Sequence, residues 1–302
     1  MKLLPLLKKR ALIAIALLGL AAQADARAID EIKKDGKIII ATEGQFAPFN
    51  YFQGAKLTGF EVEVAEAMAA KMGLKIEWKA LSFDALLTGL RQDRWDMVIA
   101  SHGITDERAK AVTFTEPHYC SGGVIIAKDG AIKTASDLTG KVIAVQTGTT
   151  YMENVKKVSA VKEVKNFPQD TDARAALVSG RVDAWVTDRF VALNSLAANP
   201  GAGMKMGDFL FVERIASAVS KGNTSLARPV LPLATAEAMR STNRKSPIFM
   251  PAPGLAVSEF SATKRSVTQA STRPLTSAAR ASASCGKFLT SLTAETFLTF
   301  SM

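Results

Sequence analysis

The chain has 302 residues, of which 48% are hydrophobic and 22% charged, and its formal net charge is +10. The charge is uneven, since residues 1–26 carry about +3, the residues after Leu226 about +6, and the rest only about +1. Between these ends no run of Lys or Arg is interleaved with aromatic residues, which argues against a nucleic-acid-binding groove.

The first 26 residues have the three parts of a secretory signal peptide. A basic start, MKLLPLLKKR, precedes an apolar run at 11–22 that is too short to span a bilayer, and residues 24–26 read A-D-A, a cleavage motif. We therefore predict export to the periplasm. That compartment is oxidising, yet Cys120 and Cys285 lie far apart and indicate no disulfide framework.

Between residues 37 and 227, short β-branched runs alternate with amphipathic helical stretches. The predicted strands are KIIIAT, LKIEW, DMVIA, KVIAVQ, AVKEVKNF and VDAWVT. One helix is predicted from Phe60 until Gly73 ends it, and another after Ser82. Such alternation predicts mostly parallel sheets flanked by helices, and a break near Cys120 divides them into two α/β lobes.

The loop SHGITDER follows the predicted strand DMVIA and has features of an anion-binding loop. Gly103 lets a ligand approach the backbone closely, and either Thr105 or Asp106 can cap the helix that carries Arg108. Backbone N–H groups at the start of a helix attract an anion. The planar guanidinium of Arg108 adds two parallel donors that match a carboxylate.

The second half of the chain repeats this arrangement in QTGTTYMENV, where a strand is followed by Gly148 and then by Thr149 and Thr150 at a helix start. A third strand end, AWVTDRF, supplies Asp188, a carboxylate suited to an ammonium group. Together the three strand ends predict a site that holds a zwitterion.

Each of these features also has a plainer interpretation. Arg108 alone would be a solvated helix arginine, Asp188 alone an N-cap for the helix that follows, and the Gly148 loop alone an ordinary strand-to-helix turn. All three, however, follow the carboxyl ends of strands, where doubly wound sheets bind ligands. We therefore interpret them as one ligand site.

The order of the motifs FAPF, GFEVEVAEAMAAKM, DMVIASHGITDER, FTEP, GTT and GRVDAWVTD resembles that of the bacterial extracellular solute-binding proteins of family 3, over about residues 37–225. The resemblance implies a type II periplasmic-binding-protein fold, in which two lobes are joined by a two-strand hinge. Lobe 1 is predicted at 27–121 and 213–226, and lobe 2 at 122–212.

The same resemblance implies that the protein captures a polar amino acid between its lobes and delivers it to the membrane permease of an ABC importer. It implies a periplasmic monomer that needs no cofactor and no metal. By resemblance, Arg108 holds the α-carboxylate of the amino acid, helped by backbone N–H groups at Gly103 or Thr105 and at Thr150, next to Thr149.

The α-ammonium group, by the same resemblance, meets the carbonyl of Ser101 and the carboxylate of Asp188. Many relatives have a serine or threonine where this chain has Gly103, which predicts one side-chain bond to the ammonium fewer. Phe46 and Phe60 occupy positions where relatives place aromatic walls around the ligand side chain.

Two further residues bear on which amino acid is bound. His102 occupies a variable position, where it either faces the ligand side chain or lies solvated in its loop. Glu43 lies where relatives that bind cationic side chains use an acid, although acids occur there in others as well.

The resemblance ends near Leu226. Residues 227–302 are rich in Ser, Thr, Ala, Arg and Pro and have few acids and no Tyr or Trp, a composition that does not easily form a packed core. A disordered tail, a basic interaction arm and a shifted reading frame are the alternatives. The match stops in the middle of an expected helix, which favours the frame shift.

An enzyme on the same fold is the main alternative function. A few relatives are dehydratases of cyclic carboxylates such as prephenate or arogenate, which Arg108 would also suit, but they need a general acid or base, and only Glu43 and His102 are near. A ligand-sensing module is a third class. The chain has only two histidines and no G-x-S-x-G elbow, so we predict a binding protein and no enzyme.

Overall fold

The computed structural model of the protein describes residues 26–228. Residues 1–25 of the predicted signal peptide and residues 229–302 of the predicted tail lie outside the described residues. The described part contains two five-stranded sheets, a two-stranded pair and a three-stranded sheet. Within it, no helix combines the length and the apolar composition that crossing a membrane requires.

The described helices are α1 (Ile29–Asp35), α2 (Phe60–Lys71), α3 (Phe83–Arg91), α4 (Asp106–Ala111), α5 (Tyr151–Val158), α6 (Asp170–Val178), α7 (Arg189–Ala198) and α8 (Thr224–Ala227). The described strands are β1 (Lys37–Thr42), β2 (Gln45–Phe46), β3 (Asn50–Gln53), β4 (Lys56–Thr58), β5 (Lys75–Ala80), β6 (Met97–Val98), β7 (Val112–Phe114), β8 (Tyr119–Ser121), β9 (Gly123–Ala127), β10 (Val142–Gln146), β11 (Glu163–Phe167), β12 (Ala184–Asp188), β13 (Lys205–Phe209), β14 (Glu213–Ile215) and β15 (Ala218–Ser220). The predicted helices after Gly59 and Ser82 are confirmed as α2 and α3.

The first sheet has the strand order β5-β1-β6-β15-β7. Strands β5, β1 and β6 run parallel, and in their register Ile40 lies beside both Trp78 and Met97. Strand β15 inserts antiparallel between β6 and β7. The chain therefore returns to its first lobe after building the second.

The second sheet has the same plan, with the order β11-β10-β12-β9-β13. Its parallel part is β11-β10-β12, and β9 runs antiparallel to both β12 and β13. Each sheet is thus mixed, with one strand, β15 or β9, that runs antiparallel to both of its neighbours. Parallel neighbours need a crossover connection, and α2 before β5 and α5 before β11 provide it.

Apolar residues of the strands and of the flanking helices form the core of each lobe. In the first lobe Phe60, Val64 and Met68 of α2 are buried, as their fourfold spacing predicts. In the second lobe Trp185 is fully buried among the helices that cover β12. Burial of this kind contributes roughly 25 cal/mol for each Å² of apolar surface removed from water.

Strands β8 and β14 connect the two sheets as a short antiparallel pair, in which Glu213 lies opposite Ser121. This two-strand link matches the predicted hinge, whereas the predicted residue boundaries of the lobes stay a prediction. Cys120 lies in the middle of β8, whereas Cys285 lies outside the described residues.

Candidate functional site

A narrow cavity of about 10 Å³ lies between the two lobes, near the carboxyl ends of β1, β6 and β10. Its lining residues are Glu43, Phe46, Phe83, Ser101, Gly103, Arg108, Gln146, Thr149, Thr150, Tyr151 and Glu213. Seven of these are residues that the sequence analysis placed at the site. A second cavity, of about 230 Å³, lies at the end of the first sheet where β1 begins, beside the pairs of Arg27 with Asp35 and Asp96, and none of the predicted site residues lines it.

Arg108 connects the lobes. Thr105 begins its helix, because the Oγ1 atom of Thr105 accepts a 3.1 Å hydrogen bond from the backbone N–H of Arg108. The guanidinium donates from Nη1 to the carbonyl of Gly103 and from Nη2 to the carbonyl of Gly148 in the other lobe, each at 2.8 Å. It also lies 5.9 Å from the ring centroid of Phe83, within cation–π distance.

These two hydrogen bonds use two of the five N–H donors of the guanidinium. The two carbonyl groups therefore hold the guanidinium of Arg108 in place, and its remaining N–H groups are left to bind a carboxylate. Thr105 does not line the cavity and acts on the site through the helix that it caps.

Ser101 is fixed by a buried acid that the sequence analysis did not assign to the site. Its backbone is left-handed, with φ of 53°, and Glu61 accepts from both its N–H (2.7 Å) and its Oγ (3.1 Å). Asn50 donates to the same carboxylate at 2.7 Å, and Tyr119 donates to the Oγ of Ser101 at 2.9 Å. Burial raises the pKa of Glu61 to about 7, although its hydrogen bonds act in the opposite direction.

The loop of the second lobe comes close to the first lobe. Gly148 has φ of 79°, and a Cβ added to it would lie 2.9 Å from the Cβ of Asp84. Thr149 donates from Oγ1 to the carbonyl of Gln146 at 2.7 Å, which closes the turn before α5. Position 148 therefore requires glycine, both because its φ is positive and because a Cβ there would be too close to the other lobe.

Two further hydrogen bonds cross between structural units at the cavity. The amide of Gln146 donates to Oε1 of Glu43 at 2.6 Å, and Oγ1 of Thr150 donates to Oε1 of Glu213 at 2.5 Å. The first joins the two lobes, and the second joins the second lobe to the hinge strand β14. The structure is thus a closed arrangement, in which the lobes contact each other directly.

Asp188 caps α7, the helix that follows β12 of the second sheet. Its Oδ1 accepts from the backbone N–H groups of Phe190 (2.8 Å) and Val191 (3.4 Å), which is the plainer interpretation weighed for it. It is buried and is not among the lining residues of the cavity. Burial raises its pKa to about 6. Its predicted contact with an ammonium group stays a prediction.

His102 and Phe60 also lie behind the cavity wall. His102 is 2% exposed and stacks on Phe83 with ring centroids 4.3 Å apart, so the expectation of a solvated loop histidine is wrong. Burial lowers the pKa of His102 well below its ordinary value, and the Arg108 cation adds to this. Phe60 packs edge-on against Tyr119, with centroids 5.7 Å apart. Neither residue lines the cavity.

Acids outnumber bases at the cavity wall, which contains Glu43, Glu213 and Arg108. Burial raises the pKa of Glu43 to about 8, and the negative charge of Asp170 raises it further. Burial also raises the pKa of Glu213 and, to about 7, that of Asp170. A ligand that brings positive charge into this site would relieve the cost of these buried carboxyl groups. Among the described residues, no group of three or more His, Cys, Asp or Glu could hold a metal ion.

Four lining residues were not predicted, namely Phe83, Gln146, Tyr151 and Glu213. Gln146 and Tyr151 fall inside the loop motif QTGTTYMENV, and Phe83 follows the predicted helix start, so their positions at strand and helix ends could have indicated them. Glu213 lies on a short strand with no motif of its own.

Two mixed α/β lobes joined by two short strands, and closed over a cavity with an arginine and several acids, define a two-lobed ligand-binding protein. The comparisons with known proteins agree with this class. The chain belongs to the bacterial extracellular solute-binding proteins of family 3, whose model matches residues 38–242. That match runs past Leu226, where the sequence analysis placed the end of the resemblance.

Similar proteins include the L-cystine-binding protein TcyJ of Escherichia coli, 34% identical, with an alignment that covers 68% of this chain and 79% of that protein. A probable amino-acid ABC transporter-binding protein of Haemophilus influenzae is 33% identical, with 59% of this chain and 69% of that protein covered. A solved structure of an ancestral arginine-binding protein bound to arginine is similar with a TM-score of 0.61 and 37% identity, covering 70% of this chain and 95% of that one.

Proposed function

We propose that the protein captures a free amino acid in the cavity between its lobes and delivers it to the membrane permease of an ABC importer. The observation that carries this proposal is the position of Arg108, which belongs to the first lobe and bonds the Gly148 carbonyl of the second. A carboxylate bound to this arginine would be in contact with both lobes. Relatives named as an L-cystine-binding protein and as a probable amino-acid ABC transporter-binding protein support the proposal.

In the proposed complex the α-carboxylate of the amino acid binds the guanidinium of Arg108 and the N–H groups at the start of α5, near Thr150. A bidentate carboxylate is the natural partner of a planar guanidinium, and a helix N-terminus adds favourable charge. Ser101 is held in place by Glu61, and its backbone carbonyl accepts a hydrogen bond from the α-ammonium group. Phe46 supplies an apolar wall for the side chain of the ligand, at the cavity surface.

The acids at the cavity wall favour a polar amino acid. Glu43 is buried and already accepts from Gln146, so it suits a side chain that is a cation or a hydrogen-bond donor. Arginine, glutamine and histidine have such side chains, and the ancestral arginine-binding protein is one relative with a ligand of this kind. We propose that the protein acts in the periplasm as a monomer and needs no cofactor.

A thermal-shift screen of the twenty amino acids tests the proposal, because a ligand that binds only the folded state raises its melting temperature. We expect a subset of polar amino acids to raise it, and calorimetry then gives their dissociation constants. If none of the twenty shifts the melting temperature of a folded sample, the proposed function is wrong.

The dehydratase alternative is less well supported, because a catalytic acid or base must touch the substrate. His102 is stacked behind Phe83 and away from the cavity, and Glu43 is bonded to Gln146. We expect incubation with prephenate to give no product above the uncatalysed background. Turnover that disappears in Glu43→Gln would instead establish an enzyme.

A further inference from the structure

Arg27 lies at the junction between the predicted signal peptide and the first lobe. The motif A-D-A at 24–26 predicts cleavage after Ala26, and Arg27 would then be the first residue of the exported protein. The structure describes both residues of this bond. They line the cavity of about 230 Å³ at the end of the first sheet, so the predicted cleavage point lies at the wall of that cavity.

The guanidinium of Arg27 is bound from several directions. Its Nε donates to Oδ1 of Asp96 at 2.9 Å and its Nη2 to Oδ2 of the same carboxylate, which makes a bidentate pair. Its Nη1 donates to Asp35 at 2.9 Å, and Nη2 also donates to the carbonyl of Lys37 at 3.3 Å. The side chain of Asp96 is 4% exposed, so the pair is largely removed from water. Arg27 is therefore an anchored residue and not a solvated one.

The backbone of Arg27 is held as well. Asn223 donates from Nδ2 to the carbonyl of Arg27 at 3.0 Å, across 196 positions of the chain. The same asparagine caps α8, because its Oδ1 accepts from the N–H of Leu226 at 3.3 Å. Arg27 thus joins the start of the first lobe to its last described helix.

Most charged groups at the wall of this cavity are already paired. Asp35 and Asp96 bind Arg27, and the Nζ atom of Lys37 lies 2.7 Å from a carboxylate oxygen of Glu77. A further cation at this wall would therefore need another acid as its partner.

Asp93 is the remaining charged residue of the wall. It is half-buried, and its Oδ1 accepts a 2.9 Å hydrogen bond from the Oγ of Ser220. Within the part of the chain that the structure describes, it forms no ion pair. Cleavage after Ala26 would supply a cation, because the nitrogen of Arg27 would become an α-ammonium group at the wall of the same cavity.

We propose that Arg27 is the first residue of the mature protein and anchors it, with its guanidinium bound to Asp96 and Asp35 and its new α-ammonium group paired with Asp93 in the cavity. Removal of the signal peptide is then coupled to completion of the first lobe, because the cleavage creates the charge that the cavity binds. This inference concerns processing of the chain and does not depend on which ligand the lobes bind.

Export of the full chain in a bacterial host tests where the mature protein begins. Mass spectrometry of the periplasmic protein and of its N-terminal peptide should give Arg27 as the first residue. Any other first residue, or a chain that keeps its signal peptide, would overturn the inference.

The pKa of the α-amino group of the exported protein tests its pairing with Asp93. Only the unprotonated amine is acylated, so the rate of N-terminal acylation across a pH series, followed by mass spectrometry, gives this pKa. An ordinary α-amino group has a pKa near 8. The carboxylate of Asp93 should raise it by about one unit.

Asp93→Asn keeps an oxygen for Ser220 but removes the charge, and it should return the α-amino pKa to its ordinary value. Asp172→Asn, at an exposed aspartate of the second lobe, is the matched control and should leave it raised. An ordinary pKa in the unsubstituted protein, or a raised pKa that persists in Asp93→Asn, would overturn the pairing.

Arg27→Gln tests the guanidinium anchor. It removes the bidentate partner of Asp96, and we expect the melting temperature of the exported protein to fall because a buried carboxylate loses its cation. Arg94→Gln, at an exposed arginine of the same lobe, should melt close to the unsubstituted protein. Equal melting temperatures of the two variants would show that Arg27 is not an anchor.

Discussion

Gln146 of the second lobe donates a 2.6 Å hydrogen bond to Glu43 of the first lobe, across the cavity. Both side chains are buried in the closed arrangement, with 1% and 7% of their surface exposed. The bond therefore forms only when the lobes meet, and removing its donor leaves a buried carboxyl group without that partner. The bond therefore stabilises the closed arrangement of the lobes and not the fold of either lobe.

Gln146→Ala should shift the protein toward an open form. The unsatisfied carboxyl group of Glu43 costs the closed form about 1–3 kcal/mol, so amino-acid binding weakens by a similar free energy. X-ray scattering should show a larger radius of gyration for the unliganded variant. Gln45→Ala, at an exposed glutamine of β2, is the matched control and should scatter as the unsubstituted protein does. An unchanged radius in Gln146→Ala would mean that the bond does not hold the lobes together.

Gly148→Ala should weaken ligand binding by obstructing closure. The added Cβ would lie 2.9 Å from the Cβ and 3.0 Å from the Cα of Asp84, too close for either backbone to keep its place. The substitution also strains a backbone with φ of 79°, which on its own costs about 1 kcal/mol.

Gly140→Ala separates these two effects, because Gly140 has φ of 71° and nothing within 4 Å of its added Cβ. Both variants should melt at a lower temperature, and only Gly148→Ala should lose affinity for an amino acid, by tenfold or more for a cost of about 1.4 kcal/mol. Equal affinities of the two variants in calorimetry would show that the Gly148–Asp84 contact is not needed for binding.

Arg108→Ala should abolish amino-acid binding, and Arg108→Lys should retain little of it. The alanine variant loses the bidentate grip on the carboxylate and leaves the ligand charge unpaired in a closed cleft, at a cost of several kcal/mol. Arg94→Ala is the control, since Arg94 is an exposed arginine 5.3 Å from the ring centroid of Trp95, as Arg108 is near Phe83. Near-native affinity of Arg108→Ala in calorimetry would exclude this role.

Arg108 and the Gly148 loop could be assigned to one site from the sequence, because each follows the carboxyl end of a strand. Doubly wound sheets bind their ligands at these ends. The motif patterns also predicted α2 and α3 at their observed starts. In contrast, the strands β2, β7, β8, β14 and β15 have two or three residues each, too few for an alternating pattern to appear. They take their structure from pairing with distant strands.

Glu213 shows the same limit within the site. It lies 110 positions after Gly103 in the chain, and the pairing of β14 with β8 and with the loop at Gly103 brings it to the cavity. No local motif marks it. Asp188 lies at a strand end, where it caps its own helix through the N–H groups of Phe190 and Val191, and its predicted contact with an ammonium group stays a prediction.

The last prediction concerns pH. Burial raises the pKa of Glu43 to about 8, of Glu61 to about 7 and of Asp170 to about 7. A carboxyl group with a raised pKa holds its proton more tightly in the folded state than in the unfolded state, so its contribution favours folding below its ordinary pKa and is lost as the pH rises through the folded value. Burial lowers the pKa of His102 and His118, which acts in the opposite direction below their ordinary pKa, but the acids outnumber them, so without a ligand the melting temperature should fall between about pH 5 and pH 8.

Calorimetric melting at fixed ionic strength checks this prediction, and Glu61→Gln provides the sharpest comparison. The variant cannot titrate at position 61, so its melting temperature should fall less over that pH window, by an amount on the order of 1.4 kcal/mol of stability for each unit of raised pKa. Glu66→Gln, at an exposed glutamate of the same helix α2, should keep the full dependence. An equal pH dependence in Glu61→Gln and in the unsubstituted chain would contradict the assignment, since Glu61 would then have the same pKa in the folded and unfolded states.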